Sequence, residues 1–183
     1  MHIKNPFKSL SDYKSAVKGL TQKATDWYHD KIDKIADASF RLNPTYEKLE
    51  KRNEQVSVLV PGRMYMYAYD PKYKATLPLY DKFPLVFPYA LTDNGFIGLN
   101  LHYLQGNARV ALMNQLTIIY AMNPRRYDRL SWEFLKNASV FPGARDCVHR
   151  YLWTHVRSPF LEIKQEDWVI ASQLPVEQFV YNR

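Results

Sequence analysis

The sequence predicts an α+β fold: a small, strongly curved antiparallel sheet with an N-terminal helical arm and C-terminal helices. Three observations predict it. Apolar residues recur at steps of three and four over residues 7–39, the period of a helix with one apolar stripe. From Arg63 to Tyr69 the period becomes two. Helical spacing returns after Gly106, so helices and strands fall in separate blocks rather than alternating.

The elements follow in order. Leu10, Tyr13, Val17, Leu20, Ala24, Trp27, Tyr28, Ile32 and Ile35 form the stripe of the first helix. Ser9 or Ser11 is placed to cap its start, and Gly19 is a point where it breaks in two. Pro44 punctuates the chain, and residues 45–55 read as a solvated helical turn or linker. In the next segment Tyr65, Tyr67 and Tyr69 share one strand face, with Met64, Met66 and Ala68 on the other. Asp70–Pro71–Lys72 is a turn signal. Pro84 and Pro88 confine Leu85–Val86–Phe87 to a short strand near an edge. Asp93–Asn94–Gly95 is a hairpin turn, and residues 96–103 return as a strand with Gly98 at a bulge or a close backbone approach. Short strands joined by tight turns suggest an SH3-like half-barrel. Asn107 is an N-cap for a helix ended by Asn123–Pro124. Further helices are expected over residues 127–138 and 144–156. Residues 160–163 read as a strand that closes the sheet, and residues 165–172 as a short helix with Trp168 buried. Pro175 begins an irregular tail. The domain expectation is a helical arm over residues 1–55 and an α+β core domain over residues 56–183.

Composition narrows the function. The chain has 183 residues, is 46% hydrophobic and carries 14 Tyr, enough for a substantial core with half-wet aromatic margins. Its net charge is +7, which points to a polyanionic partner. Residues 105–160 hold eight basic and three acidic groups, and seven of the eight are Arg, whose planar fork suits phosphate. The single cysteine, Cys147, excludes an intrachain disulfide framework. The first ten residues lack the apolar region of a signal peptide, and no apolar run is long enough to span a membrane.

The search for chemistry yields little. The five histidines and Cys147 lack the spacing of a four-ligand zinc site, so neither metal nor cofactor is expected. Cys147 reads as a buried structural thiol and His102 as a hydrogen-bonded core or rim histidine. No small-molecule substrate is indicated, since the glycines form neither standard phosphate-cradling loop. Glu162–Ile163–Lys164 fits the E-x-K strand of metal-dependent nucleases, but the nearest preceding acid, Asp146, is separated from it by an expected helix and a proline. A solvated pair of charges on an edge strand is the stronger reading. Binding is better supported. Arg125, Arg126 and Arg129 cluster at the start of one expected helix, and Arg145, Arg150 and Arg157 recur along the next. In that helix Arg150 and Arg157 share a face two turns apart. With Arg109 and Lys136 they make the candidate phosphate contacts. No base-reading motif is present, so such contacts would be to the DNA backbone.

The order of short motifs carries a resemblance. It runs through Pro61–Gly62–Arg63–Met64–Tyr65, Tyr69–Asp70–Pro71–Lys72, Leu77–Pro78, Tyr80–Asp81 and Phe83–Pro84–Leu85–Val86. It continues with the run from Gly95 to Leu104, Arg109, Leu112–Met113, Arg150–Tyr151–Leu152, His155–Val156–Arg157–Ser158, Trp168, Leu174–Pro175 and Phe179. This pattern resembles the DNA-end protectors of large contractile-tailed phages, over about residues 61–180. The resemblance implies a non-enzymatic virion protein that binds the ends of packaged linear double-stranded DNA, alongside other virion proteins. It would then shield those ends from host exonuclease in the host cytoplasm after injection. It carries over no residue roles. The chain departs from the pattern at Gln105–Gly106–Asn107, where a Pro-containing turn is expected, and matches weakly over residues 126–145. The alternative is a structural component of the neck, tail or baseplate that docks through its N-terminal helix.

Overall fold

The computed structural model describes residues 10–40, 55–56, 58–104, 106–138, 142–174 and 180–181. The expected linker over residues 45–54, a cap by Ser9 and the tail at residues 175–179 lie outside them. The first helix, α1, runs over Leu10–Phe40 without a break at Gly19. Two short strands follow, β1 (Gln55–Val56) and β2 (Met64–Met66). Then come β3 (Leu79–Tyr80), β4 (Leu85–Thr92) and β5 (Gly95–Asn100). Two helices come next, α2 (Gly106–Met122) and α3 (Tyr127–Ala138), then the single turn α4 (Pro142–Arg145). The chain ends with β6 (Val148–Leu152), β7 (Phe160–Ile163), α5 (Trp168–Ser172) and β8 (Val180–Tyr181).

The main sheet is antiparallel, in the order β1-β7-β2-β4-β5-β6, and β3 pairs separately with β8. It is mixed with helices as expected, but β7 inserts between β1 and β2 rather than closing the sheet. The result is an open sheet, and its pairings do not establish the SH3-like half-barrel.

The period of two at Tyr65–Tyr67 sorts the side chains onto two faces as expected. Met64 and Met66 enter a core shared with Leu85, Phe87, Leu99, Leu161 and Ile163 from the sheet and with residues of α1, α2, α3 and α5. Tyr65 and Tyr67 face the other way, into a second cluster with Val86, Phe96, Tyr151 and Phe160. Both faces are therefore buried. The Tyr67 ring meets Phe160 at 4.9 Å and Tyr151 at 5.7 Å, edge to face in both cases, a favoured arrangement of ring quadrupoles. Ala24, Tyr28 and Ile35 of α1 belong to the first core, and Tyr28 Oη donates to the carbonyl of Phe83 at 2.9 Å. Lys31 adds an ion pair to Asp167 at 2.9 Å.

Two local expectations change. The segment with Pro88 is a central eight-residue strand, not a short edge strand. The register shifts between Pro88 and Ala90, and the bulge accommodates a residue that lacks an N–H. Gly98 lies opposite Pro88, where a Cβ would come 2.4 Å from Val86 Cγ1, so the expected close approach is present. The returning strand stops at Asn100 rather than at 103. There the Asn100 side chain accepts from the backbone N–H of His102 and turns the chain into a 3-10 turn over Leu101–Tyr103. His102 is 1% exposed, with Nδ1 2.6 Å from Asp81 Oδ2, which makes it the core histidine expected.

The largest correction concerns residues 144–156. The expected helix is only the turn α4, followed by the edge strand β6. Val148 and Leu152 stand four apart, as in a helix, but Val148 and Tyr151 are also strand formers. The partner decides between the two. β5 has an open edge, and at Gly95 a Cβ would lie 1.9 Å from the carbonyl oxygen of Tyr151. Only glycine lets β6 pair so closely there.

Candidate nucleic-acid interface

The eight residues expected to contact phosphate are not all at the surface. Arg109 is 1% exposed. Its guanidinium donates to the carbonyls of Leu174 and, at 3.0 Å, of Leu104, so it joins α2 to the end of α5 and is not available to a ligand. Burial lowers its pKa, but an arginine remains charged. Arg109→Ala would leave two buried carbonyls without their charged donor. It is expected to cost about 2–4 kcal/mol of stability, read as a lower midpoint in urea.

Arg150 and Arg157 are exposed but not on one helix face. Arg150 lies on β6 and donates to Asn94 Oδ1 at 2.6 Å. Arg157 follows the 3-10 turn Trp153–His155, 3.5 Å from Asp70 Oδ2. Arg145 ends α4, and Lys136 sits over the Trp132 ring at 5.2 Å near the end of α3.

Arg125, Arg126 and Arg129 do come together. They precede and open α3 and line a cleft of about 590 Å³ between that helix and β7. All three are exposed. Asn123 N–H and Arg126 N–H make the turn bonds, to Tyr120 and Asn123 respectively, that bring the chain out of α2 and into α3. Two further basic groups line the cleft, Arg63 just before β2 and Lys164 just after β7. Arg63 donates twice to Asp128, at 2.8 and 2.9 Å, and once to Glu162 at 3.3 Å. The Asp128 bonds, above all, hold its guanidinium pKa well above the ordinary value. Lys164 Nζ takes the other Glu162 oxygen at 3.1 Å. These pairs neutralise the Asp128 and Glu162 carboxylates. Arg129 also pairs with the exposed Glu133 at 3.1 Å, an interaction weak enough in water to exchange for a phosphate. Five basic and three acidic side chains line the cleft, so its balance is positive.

Arg63 is not one of the eight expected phosphate contacts. It sits in the Pro61–Tyr65 motif with no basic neighbour, and only the pairing of β2 with β7 places it beside Glu162. The E-x-K pair is likewise engaged. Glu162 is bonded to both Arg63 and Lys164, and Asp146 precedes β6, at the far end of the sheet order from β7. Among the described residues no three His, Cys, Asp or Glu side chains are grouped to hold a metal. Cys147 is buried, and burial pushes its thiol up to about 11, far from the thiolate a nucleophile needs. Among the described residues no helix is long and apolar enough to cross a membrane.

Comparison with curated proteins and with solved structures gave no match. A family model does match. It is that of the phage T4 terminal DNA protecting protein, and it spans residues 5–183, including the region of the cleft arginines where the motif pattern is weak. By that match the chain belongs to the family of the phage T4 terminal DNA protecting protein.

Proposed function

We propose that this protein binds the ends of linear double-stranded DNA through backbone phosphates and so shields them from host exonuclease, without catalysis. The observation that carries the reading is the cleft in which Arg125, Arg126 and Arg129 stand exposed beside carboxylates already occupied by Arg63 and Lys164. Such a surface presents net positive charge, with the repulsion of Asp128 and Glu162 for phosphate already offset by their partners. It offers exposed Arg forks, whose planar geometry matches phosphate and suits contact with the backbone. Membership of a DNA-protecting family supports the same conclusion. The place of action follows: the virion, at the terminus of the packaged DNA beside other virion proteins, then the host cytoplasm after injection.

The test compares a linear duplex with the same sequence as a closed circle, by gel retardation and by digestion with a processive exonuclease. Retardation of the linear form alone, with protection of its ends, is expected. Equal binding to circles, or unimpeded digestion, would overturn the proposal. Magnesium- or manganese-dependent cleavage of the duplex would point instead to the Glu162–Lys164 pair.

A further inference from the structure

A second cavity, of about 480 Å³, opens beside β6 and uses none of the cleft residues. Distant segments converge on it: Tyr69 with Pro71 to Tyr73, Asp81, Asn100 with Tyr103, and His149 to Leu152. Several of these are segments that carry the family pattern, yet phosphate binding in the cleft gives them no part.

Its chemistry is particular. The walls are rings, with Tyr69, Tyr73, Tyr103 and Tyr151 all lining it. The Tyr103 and His149 rings are 4.3 Å apart, and Tyr69 and Tyr151 are 5.1 Å apart. Its inner side is a preorganised polar network. Asn100 Nδ2 donates to Asp81 Oδ2 and to Tyr151 Oη, both at 3.1 Å, and the Asp81 carboxylate also takes the Phe83 N–H at 3.0 Å. Because Tyr151 Oη is the acceptor from Asn100, its own hydroxyl proton is left to donate. His149 Nε2 is buried and has no hydrogen-bond partner among the described residues. The ring bonds the backbone of Asp146, and burial above all lowers its pKa, which leaves Nε2 as a neutral acceptor. Lys72 and Arg150, both exposed, supply positive charge at the opening.

Stacking faces, one buried donor, one buried acceptor and two cations at the mouth match a planar heteroaromatic ring that bears a phosphate. We infer that this pocket binds the base of an unpaired nucleotide at a DNA end, with Tyr73 and Tyr103 as stacking surfaces, Tyr151 Oη and His149 Nε2 on the base edge, and Lys72 and Arg150 on its phosphate. The source of the nucleotide rests on the DNA-end reading. The pocket would add what backbone contacts lack, because an interior duplex has no unpaired base to give, whereas an end does.

The test titrates three probes by quenching of protein fluorescence: a 5′-phosphorylated trinucleotide, a blunt duplex, and the same duplex with a three-nucleotide single-stranded tail. Tyr73 is 60% exposed, so Tyr73→Ala leaves the fold intact. It is expected to weaken trinucleotide and tailed-duplex binding by about tenfold, the loss of one base stack, and to leave blunt-duplex binding unchanged. His149→Ala is expected to do the same. Arg126→Ala should do the opposite, weakening the blunt duplex and sparing the trinucleotide. The inference is overturned if the trinucleotide does not bind, if neither Tyr73→Ala nor His149→Ala affects it, or if tailed and blunt duplexes bind wild type equally. A protein that holds the trinucleotide but not the blunt duplex would sink the backbone reading alone.

Discussion

Gly62→Ala should lower the unfolding free energy by about 3 kcal/mol and weaken DNA binding in the same variant. The first part follows from two independent costs. Gly62 has φ +93°, a backbone region that L side chains rarely adopt, worth about 1–3 kcal/mol. A Cβ there would also lie 2.5 Å from the Asp128 carbonyl oxygen and 3.0 Å from the Trp132 backbone nitrogen, both in α3. Neither neighbour is a flexible side chain, so the helix itself must move, at a similar overpacking cost. The second part follows from what α3 carries. Gly62 is pinned to β4 by its N–H to the Pro88 carbonyl at 3.0 Å, and its own carbonyl accepts from Tyr127 Oη at 3.2 Å. Displacing α3 from this anchor separates Asp128 and Arg129 from Arg63 and opens the cleft. Denaturant melts would read the first effect, and DNA titration at a temperature where the variant is folded the second. A variant as stable as wild type would contradict the packing described for Gly62.

Replacing Arg125, Arg126 and Arg129 together by Ala should lower affinity for a blunt linear duplex by about two to three orders of magnitude at about 0.1 M salt. It should also flatten the dependence of log K on log salt by about 2.7, since every phosphate no longer neutralised takes about 0.9 from the slope. All three side chains are exposed, so stability should change by less than about 0.5 kcal/mol. The same triple change at Arg145, Arg150 and Arg157 should flatten the slope less, because Arg150 and Arg157 already engage Asn94 and Asp70. An unchanged slope in the first variant would remove the cleft from the interface.

Much of the architecture is legible in residue order. Helix α3 spans the residues its apolar spacing predicts, and β7 likewise. The alternation of Tyr and Met in β2 assigns the two faces correctly because strand side chains must alternate. The hairpin at Asp93–Asn94 joins Thr92 to Gly95, where the turn residues place it. Two of the misreadings share one origin. Residues 148–152 and the strand through Pro88 take their form from a neighbouring strand, and no local period records that neighbour.

The site divides in the same way. The basic excess after residue 105 and the clustering of Arg125, Arg126 and Arg129 are properties of composition and short spacing, so they are present in the chain before it folds. Which charges can meet a ligand depends on burial and long-range pairing. Arg109 is as basic in sequence as Arg125, yet packing between α2 and the end of α5 commits its fork to two carbonyls. Arg63 is isolated in sequence, yet the pairing of β2 with β7 brings it into the cleft beside Glu162, 99 residues further along the chain. Side-chain chemistry is local, but desolvation and proximity arise only when segments distant in the chain pack together.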